Sequence, residues 1–322
     1  MFDFFDDTIS LSRLARVSES GALAVYDFIG RGDEKAADKA AVDAVRKALN
    51  TLPIRGVVVI GEGERDKAPM LFIGEEVGQG GAEAVAVDIA LDPLEGTTLT
   101  AKALPNAMVV IAMGRKGTIL HAPDVYMDKI AVGDGYSSGI VDLDCSPQEN
   151  IQAIAQAKGC SPLEIKVCVL DRPRHKELIS KIRDAGAAVC LIADGDIAGV
   201  ICCALSDKTG VDMYMGQGGA PEGVLAAVAL KSMGGQMQGR LLFRNDDEKG
   251  RAEKIGIKDL NRKYCLSDMV TGDAIFAATG VTDGSLMRGV RVSENCVETE
   301  TLLMCSKTGV VQRLLSRQKC RK

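Results

Sequence analysis

The sequence contains no tryptophan, and aromatic residues make up only 4% of it. Stacking platforms of the kind that single-stranded nucleic-acid binding requires are therefore scarce. His121 and His175 are the only histidines, and no C-x-x-C pair occurs, which argues against a zinc site. No apolar run approaches membrane-spanning length. The opening residues, "MFDFFDDTIS", lack the basic region that begins a secretory signal. There is no G-x-x-x-x-G-K-[ST] and no G-x-S-x-G, and "GEGERD" lacks the third glycine of the dinucleotide fingerprint. A P-loop, a nucleophile elbow and a Rossmann phosphate turn are thereby excluded. Positive charge is also short: the formal net charge is −5 and the pI is near 5.3. That balance opposes bulk nucleic-acid or anionic-membrane binding. It does not oppose a phosphate substrate, because bound cations invert the local field.

What remains is an ordinary globular composition, 46% hydrophobic and 26% charged over 322 residues, enough for one large or two medium domains. Several of the ten cysteines, among them Cys168, Cys190 and Cys202, fall inside apolar runs. They read as small buried hydrophobes in a reducing cytoplasm. Leu11, Leu14, Ala15, Ala22, Val25 and Ile29 form one helical stripe, which Gly30 and Gly32 break. A second helix is expected from the N-cap candidate Asp33 to Leu49. Asp38 lies in line with its apolar Val42, Val45 and Leu49, where a carboxylate needs a partner or a metal, unless the position is a solvated edge.

Beyond residue 50 the chain alternates. Strand-like runs fall at 56–60, 86–91, 107–113, 166–170, 188–193, 200–204, 211–215, 237–242, 273–278 and 301–305, with helical stretches near 148–158, 174–186 and 220–234. The pattern predicts an α/β chain with layered sheets. Turn residues at 134–150 suggest a division into 1–145 and 146–322 within one compact chain, and the basic end from Arg313 reads as a solvated tail.

Acids collect where strands end. "IGEGERD" places Glu62, Glu64 and Asp66 at alternate positions after one strand, and "VDIALDPLEGTT" places Asp92 and Glu95 after another. Pro93 turns the chain. Gly96 lets backbone N–H groups approach an anion, and the Thr97 hydroxyl can bond a phosphate oxygen or a metal-bound water. Oxygen-only ligands at the carboxyl edge of a sheet select hard cations such as Mg²⁺ or Mn²⁺. Acidic turns are also common without a metal. In "GQGGAPEGV", Pro221 is expected to begin a helix with Glu222 in its first turn, an anion site or plain dipole chemistry. "LDRPRHKE" puts Arg172, Arg174 and His175 after a strand, suited to phosphate or to a solvated turn. "LIADGDIAG" offers Asp194-Gly195-Asp196, the D-x-D opening of haloacid-dehalogenase-type phosphatases, in which Asp194 would be the nucleophile. Ala198 stands where that family expects Thr or Val.

The combination "VVIGEGERDKAPMLFIGEEVG", "VDIALDPLEGTT", "HAPDVYMDK", "DRPRHKELI", "LIADGDIAG", "GGAPEGV" and "FAATGVTDG" resembles, in this order, the bacterial class II fructose-1,6-bisphosphatases. The likeness covers nearly the whole chain. "DPLEGT" also resembles the D-P-x-D-G-T motif of the lithium-sensitive, metal-dependent sugar and inositol phosphatases. The resemblance implies a layered αβαβα sugar-phosphatase fold with mixed sheets. It implies Mg²⁺- or Mn²⁺-dependent hydrolysis of the 1-phosphate of fructose 1,6-bisphosphate in gluconeogenesis, with sedoheptulose 1,7-bisphosphate as a further substrate. Asp38 and Glu62 would bind one metal, and Asp92, Glu95 and Glu222 a second. Glu95, Gly96, Thr97, Tyr126, Arg172, Pro173, Arg174, Asp194, Gly195, Asp196 and Gly219 would contact the sugar phosphate. Asp66, Thr97 and Glu64 would serve the attacking water. The 1–145 half would then carry the metals and the 146–322 half the sugar phosphate. A homo-oligomer, dimer or tetramer, is expected, with no nucleic-acid or membrane partner. A dehalogenase-type phosphatase and a non-catalytic sugar-phosphate-binding regulator are the alternatives. The chain departs from the family at Glu34, where many relatives carry lysine, and Arg172 replaces a lysine common in some members.

Overall fold

A computed structural model describes residues 8–62 and 70–319. The chain divides into two units, residues 1–120 with 271–322, and residues 121–270. The turn-rich stretch 134–150 falls inside the second unit.

In chain order the first unit contributes α1 (Thr8–Val25), α2 (Glu34–Leu49), β1 (Ile54–Ile60), β2 (Glu76–Val77), β3 (Val85–Glu95), α3 (Thr97–Ala101) and β4 (Met108–Arg115). The second unit follows: β5 (Tyr126–Val132), α4 (Pro147–Lys158), β6 (Lys166–Leu170), α5 (Lys176–Asp184), β7 (Ala188–Ile192), α6 (Asp196–Ala204), α7 (Ser206–Thr209), β8 (Met213–Gly219), α8 (Ala220–Ser232), β9 (Gln236–Leu242), α9 (Asp246–Lys254), β10 (Lys263–Cys265) and α10 (Leu266–Met269). The chain returns to the first unit with β11 (Ala274–Gly280), β12 (Arg291–Val292), β13 (Cys296–Cys305) and β14 (Val310–Lys319).

The first unit is a helix layer on one mixed sheet. Its strand order is β12-β13-β11-β4-β3-β1-β2, with β14 also paired to β13. β1 and β3 run parallel, and the other pairs are antiparallel. Leu14 and Val25 of α1 and Val45 and Leu49 of α2 bury against Val58, Ile89, Val109, Ile111 and Ile275 of the sheet. The predicted helices therefore form as their stripes require. Asp33 caps α2, its carboxylate accepting from the Ala36 amide at 2.9 Å.

The second unit is a sheet between two helix layers. Its order is β10-β9-β5-β8-β6-β7, with β6 parallel to both β7 and β8 and the other pairs antiparallel. Side chains alternate across a strand, so the two faces separate by parity. Ile130, Val167, Val169, Met213 and Met215 pack with Ile151 and Ile154 of α4 and Ile179 and Ile182 of α5. The alternate positions Met127, Lys129 and Tyr214 meet Gly223 of α8 and Gly199 of α6. One unit thus supplies a helix layer and a sheet, and the other a sheet between two helix layers, the α/β layering that the sequence pattern predicts. Among the described residues no helix is long and apolar enough to cross a membrane.

Three features of the fold depart from the sequence reading. The run 200–204, read as a strand, is the end of α6. Ile197 to Cys203 are buried without a break, and a helix apolar on all sides carries no 3.6-residue signature. β5 was not anticipated, because Asp128 and Lys129 interrupt its apolar pattern. Val310–Lys319 is a strand rather than a tail, paired with β13 at every position from Cys296↔Lys319 to Cys305↔Val310.

Candidate functional site

The parallel strands β1 and β3 of the first unit send their carboxyl ends to one edge of the sheet, and the acids sit there. Glu62 follows β1, half-buried, its amide donating to the Leu71 carbonyl at 2.9 Å. β3 does not stop at Leu91 as expected but runs on to Glu95 through an irregularity in its pairing with β4. Asp92 opposes Val110 and Glu95 opposes Met108, so three residue steps on β3 match two on β4. Pro93 cannot donate to the ladder, and an extra residue there is a β-bulge. Leu91 and Leu94, three apart, both join the core. The bulge likewise brings Asp92 and Glu95 to a common face, with carboxylate oxygens within 4.8 Å of each other. The Leu94 amide donates to Asp92 Oδ1 at 3.0 Å and fixes that carboxylate.

Asp38, on the second turn of α2, completes the group. Burial first, and the Asp92 charge second, push its carboxyl up to about 6. Two carboxylates that raise each other's cost of ionisation form a field that a divalent cation neutralises. The donor set is oxygen only, as a hard cation requires. Asp92 and Glu95 therefore could ligate one metal ion, and Asp38, which feels the Asp92 charge, and Glu62, at the end of the neighbouring strand, are further oxygen donors at this edge. Gly96, left-handed at φ 87°, turns the chain from β3 into α3, and half-buried Thr97 is the first residue of that helix. Glu64 and Asp66 lie outside the described residues.

The second unit gathers its own cluster at one sheet edge. Tyr126, the first residue of β5, pairs with Gly219 at the end of β8 and Leu242 at the end of β9. β6 and β7 run parallel to β8, so Arg172 and Asp194 beyond their ends reach the same edge. The guanidinium groups of Arg174 and Arg244 lie 4.8 and 4.9 Å from the centre of the Tyr126 ring. Arg174 is held by two hydrogen bonds to the Gln217 carbonyl, at 3.1 and 2.8 Å. Arg244 is held by Glu248, which accepts from its Nε at 2.7 Å. Arg172, after which Pro173 opens a short 3₁₀ turn, donates to the Ala193 carbonyl and pairs with Asp194 at 3.2 Å. His175 is buried and neutral in role. Its Nδ1 meets the Leu170 carbonyl at 2.7 Å, its Nε2 accepts from the Gln217 amide at 2.8 Å, and burial holds its pKa below the ordinary range.

Asp196 starts α6 after left-handed Gly195 and is buried against the Lys129 ammonium, which also donates to the Gly219 carbonyl at 2.8 Å. The helix α8 begins at Ala220, one residue earlier than expected, with Pro221 and Glu222 in its first turn. The glycines of β8 have a steric reason. A Cβ on Gly218 would overlap the Asp196 carboxylate, and one on Gly219 would overlap that of Glu222. Sequence reasoning missed Arg244 and Lys129. Arg244 stands two residues past β9, as Arg172 does past β6, so the same rule would have found it. Lys129 gave no signal, because a lysine inside a strand reads as solvent-facing.

The comparisons agree with the motifs. Residues 8–318 match the family model described as bacterial fructose-1,6-bisphosphatase, glpX-encoded. The fructose-1,6-bisphosphatase class 2 of Haemophilus influenzae is 43% identical over 316 residues, covering 94% of this chain and 93% of that protein. The fructose-1,6-bisphosphatase 1 class 2 of Escherichia coli K12 matches with the same identity and coverage. An inositol monophosphatase structure from Anabaena is 15% identical, covers 71% of this chain and 82% of its own, and has a TM-score of 0.38; it bears no weight on the site. With its motifs in order along nearly the whole length and that identity to curated relatives, the chain belongs to the glpX-type bacterial fructose-1,6-bisphosphatase family.

Proposed function

We propose that this protein is a phosphatase that hydrolyses the 1-phosphate of fructose 1,6-bisphosphate, releasing fructose 6-phosphate and inorganic phosphate in gluconeogenesis in the cytoplasm. Family membership supports the reaction. The observation that carries the chemistry is the Asp92–Glu95 pair, whose carboxylate oxygens lie within 4.8 Å of each other where β3 ends. We assign Asp38 and Glu62 to one Mg²⁺ or Mn²⁺ ion, and Asp92, Glu95 and Glu222 to a second. A bound divalent cation supplies Lewis-acid polarisation of the phosphoryl oxygen and lowers the pKa of a water.

The chain's own residues do the remainder. The Thr97 hydroxyl orients the attacking water and a phosphate oxygen. One of Glu64 and Asp66 takes the water's proton. Arg172 and Arg174, with Tyr126, hold the sugar phosphate, and the segments Glu95-Gly96-Thr97, Asp194-Gly195-Asp196 and Gly219 contact it. Arg174 and Arg244 leave two fixed positive charges on one aromatic ring, a setting suited to a phosphate. Asp194 pairs with Arg172 and reads as a hydroxyl acceptor. Were it a nucleophile, Asp194→Asn would be inactive while Asp92→Asn kept turnover. The metal-bearing acids other than Glu222 lie in the first unit, and the sugar-phosphate residues beyond 125 in the second.

The test is phosphate release from fructose 1,6-bisphosphate with and without Mg²⁺ or Mn²⁺. Activity is expected only with metal and should vanish in excess EDTA; turnover undiminished by chelator would overturn the reading. Sedoheptulose 1,7-bisphosphate presents a similar 1-phosphate, and kcat/KM for the two substrates ranks them.

A further inference from the structure

Cys190 was expected among the buried cysteines, yet it is half-buried on β7, which forms one end of its sheet. Its register partner on the parallel neighbour β6 is Cys168, which is buried. Register partners on adjacent strands point to the same face, and strands lie about 4.7–4.9 Å apart. That separation falls inside the roughly 4.4–6.8 Å between Cα atoms that a disulfide spans. The two thiols stand on the same face of that register pair, one strand apart. The mechanism above uses neither residue.

We propose that Cys168 and Cys190 form a thiol–disulfide exchange site, a dithiol that a small-molecule disulfide converts reversibly into an intrachain disulfide. The asymmetry of the pair sets the order of events. The neighbouring Cys168 thiol holds the Cys190 thiol down at about 6, helped by the Lys166 cation, while the thiolate it faces and burial push Cys168 up. Cys190 is thus the thiolate and the more accessible sulfur, the two conditions for attack. Its Sγ attacks one sulfur of RSSR, forming a mixed disulfide and releasing RS⁻. Cys168 then loses its proton to the released thiolate, and its sulfur attacks Cys190 Sγ, expelling the second RS⁻. Two protein thiols are oxidised, and RSSR is reduced to two RSH. The other cysteines differ. Cys145 and Cys265 are exposed, and no strand register faces either with a second cysteine among the described residues.

Oxidised glutathione added to the intact protein, followed by non-reducing peptide mapping, tests this. The expected result is a Cys168 peptide joined to a Cys190 peptide without glutathione, undone by dithiothreitol. In Cys168→Ser, Cys190 should retain glutathione, and in Cys190→Ser, Cys168 should stay a thiol. The wild-type map decides alone if either variant fails to fold. A lasting glutathione adduct on wild-type Cys190 beside a free Cys168 would overturn the proposal. So would an unreacted Cys190 in a sample whose Cys145 and Cys265 have reacted.

Discussion

Glu62 and Thr97 are assigned different work, and substitution separates them. Glu62→Gln removes a ligand charge, so it should raise the metal concentration needed for half-maximal activity and abolish most turnover at ordinary Mg²⁺. Thr97→Ala removes only a positioned hydrogen bond, a change that costs roughly 10²–10³ in rate. kcat should fall by that order while the metal requirement stays near wild type, and Thr97→Ser should recover most of the loss. Equal rates for alanine and serine would show that the hydroxyl has no chemical role. Gly219→Ala tests the backbone beneath Glu222. The added Cβ would overlap that carboxylate, whose flexible end can swing away, so the protein should fold with Glu222 displaced. A raised metal requirement at unchanged thermal stability is expected; unchanged metal dependence would remove Glu222 from the ligand set. At this scale the sequence was only partly legible. Asp92 and Glu95 were visible as acids at a strand end. Asp88, four residues earlier in the same motif, is equally acidic yet structural, since its carboxylate accepts from the amides of Gly117, Thr118 and Ile119 at 2.7, 3.0 and 3.3 Å. Spacing along one strand cannot reveal which carboxylate a distant turn will satisfy.

Strand β3 and helix α2 together set the pH behaviour of the acids proposed to bind metal. Asp38 is raised to about 6 from the ordinary 3.8, by burial and by Asp92. The folded state therefore binds this proton more tightly than the unfolded chain. Its ionisation costs stability progressively as pH rises from 3.8 to about 6, and the full penalty stands above that. A divalent cation removes the penalty by supplying the opposite charge. Thermal unfolding with and without Mn²⁺ should show a larger gain in Tm at about pH 7.5 than at about pH 5. An equal gain at both would mean that Asp38 is not a ligand. Which elements the sequence disclosed follows the same physics. The amphipathic α1 and α2 declared themselves, because one face meets water. α6 did not, because it has no such face, and β5 did not, because Lys129 is buried against Asp196 rather than solvated. β14 was hidden by its own composition: its Arg313 and Arg317 pair with Glu300 and Glu298 of β13, so the basic residues belong to a sheet edge and not to a tail.

At the scale of the whole molecule, the chain leaves its first unit at Leu120 and rejoins it at Thr271. The first unit is therefore discontinuous, and the second is one uninterrupted segment with a core of its own. Turn residues in sequence marked 134–150 because most of that stretch is the long, largely exposed connection from β5 to the start of α4 within the second unit, whereas the exchange at 120 and 271 carries no comparable cluster of turn residues. The contents of β5 make the difference measurable. It is an interior strand, paired at all seven positions from Tyr126 to Val132 with both β8 and β9. Ile130 and Val132 also enter the core shared with α4 and α5. A fragment spanning 121–270 keeps the whole sheet and should unfold cooperatively on heating. A fragment spanning 146–270 loses β5, which separates β9 and β10 from β8, β6 and β7 and leaves two rows of backbone groups without partners. That fragment should show no cooperative transition, with near-ultraviolet circular dichroism and amide exchange close to those of an unfolded chain. Cooperative unfolding of 146–270 would show that β8 and β9 can close without β5, and that the smallest folding unit begins after the turn cluster rather than at His121.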